Sequence, residues 1–175
     1  QTITVTVNPV NDNAPVFTSA AAATVDEGQT IVHTLTATDA DLPAQAVGFT
    51  VTGGADQGRF SIDGSNQLIF NVAPDYENPL DAGTNNVYEV EVTAGDGAGG
   101  TTTQTISVTV NPVNDNDPVF TSGATPTVVE NTTSVVTLGA SDDDLPAQAV
   151  SFTITGGVDS GLFQIVGNEL QFIAA

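Results

Sequence analysis

The chain repeats itself, and that limits what it can fold into more than any other feature. NPVNDNAPVFTS beginning at Asn8 returns as NPVNDNDPVFTS beginning at Asn111, and DADLPAQAVGFTVTGG at Asp39 returns as DDDLPAQAVSFTITGG at Asp142, each time with an offset of 103 residues. Compact domains cluster near that size, so the 175 residues divide into repeated units and do not share one large core. After Gly64 and Gly167 the second copy is one residue shorter, so that Phe70 matches Phe172 and Ala73 matches Ala175. The predicted organisation is the last strand and linker of a preceding repeat over 1–13, a complete repeat with its linker over 14–116, and an incomplete repeat over 117–175. The incomplete copy is expected to lack its last two strands, which a longer polymer or a neighbouring chain would supply.

Within a repeat the apolar residues recur with a period of two, which places alternate side chains on opposite faces of a strand. Ile3, Val5 and Val7 alternate with Thr residues, and Ile106, Val108 and Val110 repeat them. Residues 87–94 alternate in the same way, and shorter strands are predicted over 31–38, 47–52, 60–62 and 68–70, separated by Gly, Pro, Asp and Asn turns. No segment carries a helical period. About seven short strands per hundred residues imply an all-β fold of tandem seven-stranded Greek-key β-sandwiches. Phe17, Phe49, Phe60, Phe70 and Val90 are the candidate core.

Charge narrows the function. Twenty-one Asp and Glu stand against one Lys or Arg, a formal charge of −20, so nucleic-acid backbones and anionic membrane surfaces are repelled and cations are the natural partners. With no Cys, a thiolate metal site or nucleophile is excluded, whereas calcium needs only oxygens, six to eight of them from carboxylates, amides and carbonyls. The carboxylates gather in short motifs at segment ends, and separate segments converging at the end of a sandwich can supply such a shell where one loop cannot. Asp56, Asp63, Asp81 and Asp159 read instead as turn formers. His33, the one histidine, corresponds to Val136 in the second copy and reads as a strand or solvent-facing residue. A glycosidase pair needs one carboxyl group in a pKa-raising pocket beside a sugar groove, and Asp75 and Glu77, a strand-edge pair amid other carboxylates, read instead as ionised metal ligands. No enzyme is expected, and no apolar run is long enough to insert in a membrane.

Five motifs in order resemble cadherin repeats: Val25-Asp26-Glu27-Gly28, Asp39-Ala40-Asp41, Asp75-Tyr76-Glu77, the turn from Ala94 to Gly97, and the Asn-Asp-Asn-x-Pro-x-Phe segment from Asn114 to Phe120. The near-identical copies and absent Cys are most similar to bacterial cadherin-like repeats of giant surface adhesins. The resemblance implies an extracellular, cell-surface protein with calcium ions at the repeat junctions. It implies that Glu27, Asp75, Glu77, Asn114, Asp115, Asn116, Asp142 and Asp144 hold up to three Ca2+ ions at one junction, and that Asn11, Asp12, Asn13, Asp39, Asp41 and Asp96 belong to the preceding one. Pro9 and Pro112 stand where the family linker carries an Asp, which removes one carboxylate and adds stiffness. The function so implied is a calcium-rigidified spacer or filament segment, with neighbouring repeats or identical chains as partners. The alternative is a calcium-dependent adhesion module, either homophilic or binding a polysaccharide or another cell surface.

Overall fold

A computed structural model describes residues 1–174; Ala175, where the repeat alignment ends, lies outside the described residues. The chain forms two compact units, residues 1–113 and 114–175.

The first unit contains β1 (Val16–Phe17), β2 (Ala22–Asp26), β3 (Ile31–Thr34), β4 (Ala37–Thr38), β5 (Gly48–Gly53), β6 (Phe60–Ile62), β7 (Gln67–Phe70), β8 (Val87–Gly95) and β9 (Thr101–Asn111). A four-stranded sheet in the order β2-β9-β8-β5 faces a three-stranded sheet, β3-β7-β6, with β1 paired to β4. Tyr88, Val90 and Val92 on β8 and Ile106, Val108 and Val110 on β9 point inward against Leu35, Leu68, Phe60 and Phe70. Phe70 meets Tyr88 edge-on at 5.0 Å between ring centres, and the Tyr88 hydroxyl accepts the Leu80 N–H at 3.1 Å, so a polar tip enters the core with its partner. Of the five core candidates, Phe60, Phe70 and Val90 are buried, while Phe17 and Phe49 pack on the periphery, 5.7 Å apart.

Two sequence expectations are corrected. Residues 31–38 are not one strand: β3 ends at Thr34, the Leu35 N–H turns to Asn66, and the Thr36 carbonyl accepts the N–H groups of Thr18 and Ser19, so the chain leaves one sheet for a second pairing. Residues 1–7 are not a strand despite their alternation, and Ile3, Val5 and Val7 are exposed, because no described strand offers this segment a ladder of hydrogen bonds.

The second unit contains β10 (Val119–Phe120), β11 (Ser134–Thr137), β12 (Ala140–Ser141), β13 (Phe163–Val166) and β14 (Glu169–Phe172), with β11-β14-β13 in one sheet and β10 paired to β12. These reproduce β1, β3, β4, β6 and β7. Residues 151–156, which match β5, and 125–129, which match β2, form no ladder. In the first unit those strands pair with β8 and β9, which have no described counterpart in the second.

Candidate metal centre

Strand direction puts two acidic ends on the first unit. β9 is eleven residues long, so its ends lie roughly 34 Å apart. At its start, the β8–β9 turn presents Asp96; at its finish, parallel β2 delivers Glu27 beside Asn111, whose carbonyl accepts the Glu27 N–H at 3.0 Å.

At the first end, Asp39, Asp41 and Asp96 each offer a carboxylate oxygen within 4.8 Å of the other two. The local sequence explains each placement. Asp39 accepts the Asp41 N–H at 2.9 Å, a turn closed by an aspartate two residues back. Asp96 accepts the N–H groups of Ala98 (2.7 Å), Gly99 (3.0 Å) and Gly100 (3.0 Å), and Gly97 and Gly99, at φ +76° and +118°, allow the backbone to curl around it. The linker then threads past both. Asn13 donates its backbone N–H to Asp41 at 3.0 Å and its amide at 2.6 Å, with a further bond to the exposed Asp12 at 3.0 Å. Asn11 donates its amide to Asp96 at 3.0 Å.

These donors hold the acids ionised. The Asn13 amide lowers the pKa of Asp41 below the ordinary carboxylate value, and the Ala98 N–H followed by the Asn11 amide does the same for Asp96. Not every oxygen is satisfied, however. Asp39 Oδ2 and Asn11 Oδ1 are buried with no hydrogen-bond donor, and Arg59, on the turn before β6, is the chain's one Lys or Arg. Buried acceptors without donors are costly, and a group of carboxylates beside an amide oxygen is the donor set of a hard cation.

The second unit repeats the part of this arrangement that Asp39, Asp41 and Asn13 make, without a described counterpart of Asp96. Asp142 accepts the Asp144 N–H at 3.1 Å; Asn116 donates its N–H at 3.1 Å and its amide at 3.0 Å to Asp144, and bonds Asp115 at 3.1 Å. Asp144 is only 1% exposed, its pKa is lowered first by the Asn116 amide, and its Oδ2 is buried without a donor. Asn114 departs from its counterpart Asn11 by donating to Gln148 at 2.7 Å.

At the other end of the first unit, Glu27 is buried, and its two oxygens accept the N–H groups of Val113 (2.6 Å) and Tyr76 (2.7 Å). Asp75, exposed, is tied to the backbone and side-chain amides of Asn78. Glu77, two residues on and beyond Tyr76, is half-buried.

Two of the expected turn formers do more than turn the chain. Asp56 is buried and accepts the N–H groups of Ala82 (2.7 Å) and Glu89 (2.8 Å), and Asp81 is buried and accepts those of Asn85 and Asn86 at 3.0 Å. The recurrence of Asp56 as Asp159 in the second copy is the one sequence sign that could have marked it; nothing marked Asp81 or Asn86. Asp63 does close a turn, accepting Ser65 and Gln67 at 2.8 Å.

The family model described as cadherin domain matches residues 21–111, just over half of the chain. Human protocadherin Fat 4 is 35% identical over 179 aligned positions, which cover 95% of this chain and 4% of that protein. Cadherin-16 of Oryctolagus cuniculus is 34% identical, with 91% and 21% covered. Among solved structures, the human desmocollin-1 ectodomain superimposes with a TM-score of 0.65 at 26% identity, covering 95% of this chain and 34% of that one. The chain thus spans a small part of each relative.

Proposed function

Because the chain belongs to the cadherin family, whose domains are extracellular, bind calcium and are adhesion modules and not enzymes, we propose that it is a calcium-stiffened spacer within a large repeat-built surface adhesin of the bacterial type. The observation that carries the reading is that three of the buried acceptors without donors, Asn11 Oδ1, Asp39 Oδ2 and Asp144 Oδ2, are each set among carboxylates on a repeated scaffold. Calcium supplies charge neutralisation and shared coordination there. The residues that would hold it are Asn11, Asp12, Asn13, Asp39, Asp41 and Asp96 at one junction. At the next they are Glu27, Asp75, Glu77, Asn114, Asp115, Asn116, Asp142 and Asp144. The chain's own part is to hold these oxygens ionised and aimed, through the Asn11 and Asn13 amides and the backbone N–H groups of residues 98–100.

The proposed organisation keeps residues 1–13 as an incoming linker, 14–116 as a complete repeat and 117–175 as part of the next. Its partners are neighbouring repeats and identical chains, a reading supported by the solved protocadherin gammaB7 segment described as a cis-dimer. Extracellular calcium modules bind at about 0.1 to 1 mM, so the joints are stiff outside cells. The test is small-angle scattering and thermal melting of two complete repeats, with calcium and with chelator. Millimolar calcium is expected to lengthen the particle and raise its melting temperature, and indifference of both would reject the proposal.

A further inference from the structure

Residue 86 is an asparagine at φ +61°, 9% exposed, between the loop after Asp81 and the start of β8. Its backbone N–H donates to Asp81 at 3.0 Å and its carbonyl accepts the Val110 N–H at 2.9 Å. The side chain reaches elsewhere, donating to the Tyr76 carbonyl at 2.9 Å. Tyr76 stands between Asp75 and Glu77, and its N–H is already bound by Glu27 at 2.7 Å. The peptide on one side of Tyr76 is therefore fixed by Glu27 and the peptide on the other by Asn86. Two fixed successive peptides leave little freedom in the directions along which Asp75 and Glu77 leave the backbone. Glu27 in turn holds Val113, two residues beyond β9, while Asn86 holds β9 itself through Val110.

We infer that Asn86 is a positioning residue for the Glu27 end: it sets the backbone that carries Asp75 and Glu77 and locks that segment to β9. The inference rests on the calcium reading above. Outer groups that orient metal ligands commonly change metal affinity 10- to 100-fold when removed, because the ligands then pay for their own ordering. Left-handed backbone suits glycine, so Asn86→Gly keeps both backbone hydrogen bonds and deletes only the side chain. Asn86→Asp keeps the size but turns a carboxylate oxygen toward the Tyr76 carbonyl in place of a donor.

The experiment is amide-resolved NMR on the full chain, with hydrogen exchange in chelator and then titration with calcium ions. In both variants the Tyr76 amide is expected to exchange at least about tenfold faster while Val90 and Ile106 in the β8–β9 core are unchanged. Calcium affinity read at Tyr76 and Glu77 falls about tenfold or more, and affinity read at Ala98 and Gly99 does not. Wild-type exchange at Tyr76, or equal losses at both ends with uniformly faster core exchange, would overturn the inference. If the unaltered chain binds no calcium, the calcium reading falls by that result alone, and Tyr76 exchange still decides whether Asn86 fixes the segment.

Discussion

Gly100 tests how the linker seats against Asp96 without replacing a single carboxylate. A Cβ there would lie 2.4 Å from Asp96 Oδ2, 2.7 Å from the Asn13 carbonyl oxygen and 3.2 Å from the Ala14 Cα. The carboxylate could swing aside, but the Asn13 and Ala14 contacts are backbone. Restoring ordinary contact at about 3.4 Å requires the linker to retreat by about 0.7 Å from the 96–100 turn. Calcium–oxygen distances span only about 0.3 Å, so a shift of that size takes Asn11 and Asn13 out of any shell they share with Asp39, Asp41 and Asp96. Gly100→Ala is therefore expected to weaken calcium binding at this end about tenfold or more and to cost about 1 to 3 kcal/mol of overpacking. Isothermal titration calorimetry reads the first quantity and denaturant unfolding the second. Gly64→Ala, whose Cβ meets nothing within 4 Å, is the control. Unchanged calcium affinity in Gly100→Ala would refute the reasoning, since the linker could not then be seated against this turn while coordinating an ion.

Two further outcomes follow from buried polar groups. Asp56→Ala strands the N–H groups of Ala82 and Glu89 and is expected to cost about 2 to 4 kcal/mol in urea unfolding, with calcium affinity at the Asp96 end unchanged. His33 has a buried Nε2 without a partner, and burial lowers its pKa, so the fold favours the neutral ring. Its contribution is fully present above pH 6.5, the unperturbed value, and declines as the pH falls below 6.5 toward the lowered one, because the unfolded chain protonates first. Replacing it with the residue of the second copy, His33→Val, should flatten the melting temperature between pH 7 and pH 5; an identical acid slope in the variant would assign that slope to carboxylates.

What could be read from the sequence was whatever depends on one segment or on its repetition. The alternation at residues 87–94 is β8, and that at 105–110 lies within β9, because both strands bury one face against the opposite sheet. The alternation at residues 1–7 is as regular and forms no strand, and FTVTGG at Phe49 is laddered while FTITGG at Phe152 is not. Strand formation there depends on a neighbour, which a local period does not report. The site shows the same division. Asp39, Asp41, Asp96 and the linker asparagines were legible as motifs, whereas Asn86 and Gly100 act through contacts with residues far away in the sequence and carry no motif of their own. Asp56 looks like any turn aspartate until its two N–H partners, one in a loop and one on β8, are seen.

The central claim is that the acidic ends are calcium sites. Its most direct test is calorimetric titration of calcium into the chelator-treated chain, alongside the same chain carrying Asp41→Asn and Asp144→Asn. The account predicts saturable binding near 0.1 to 1 mM that is lost at these ends in the double variant. Absence of binding in the unaltered chain, or binding that the two substitutions leave intact, would contradict it.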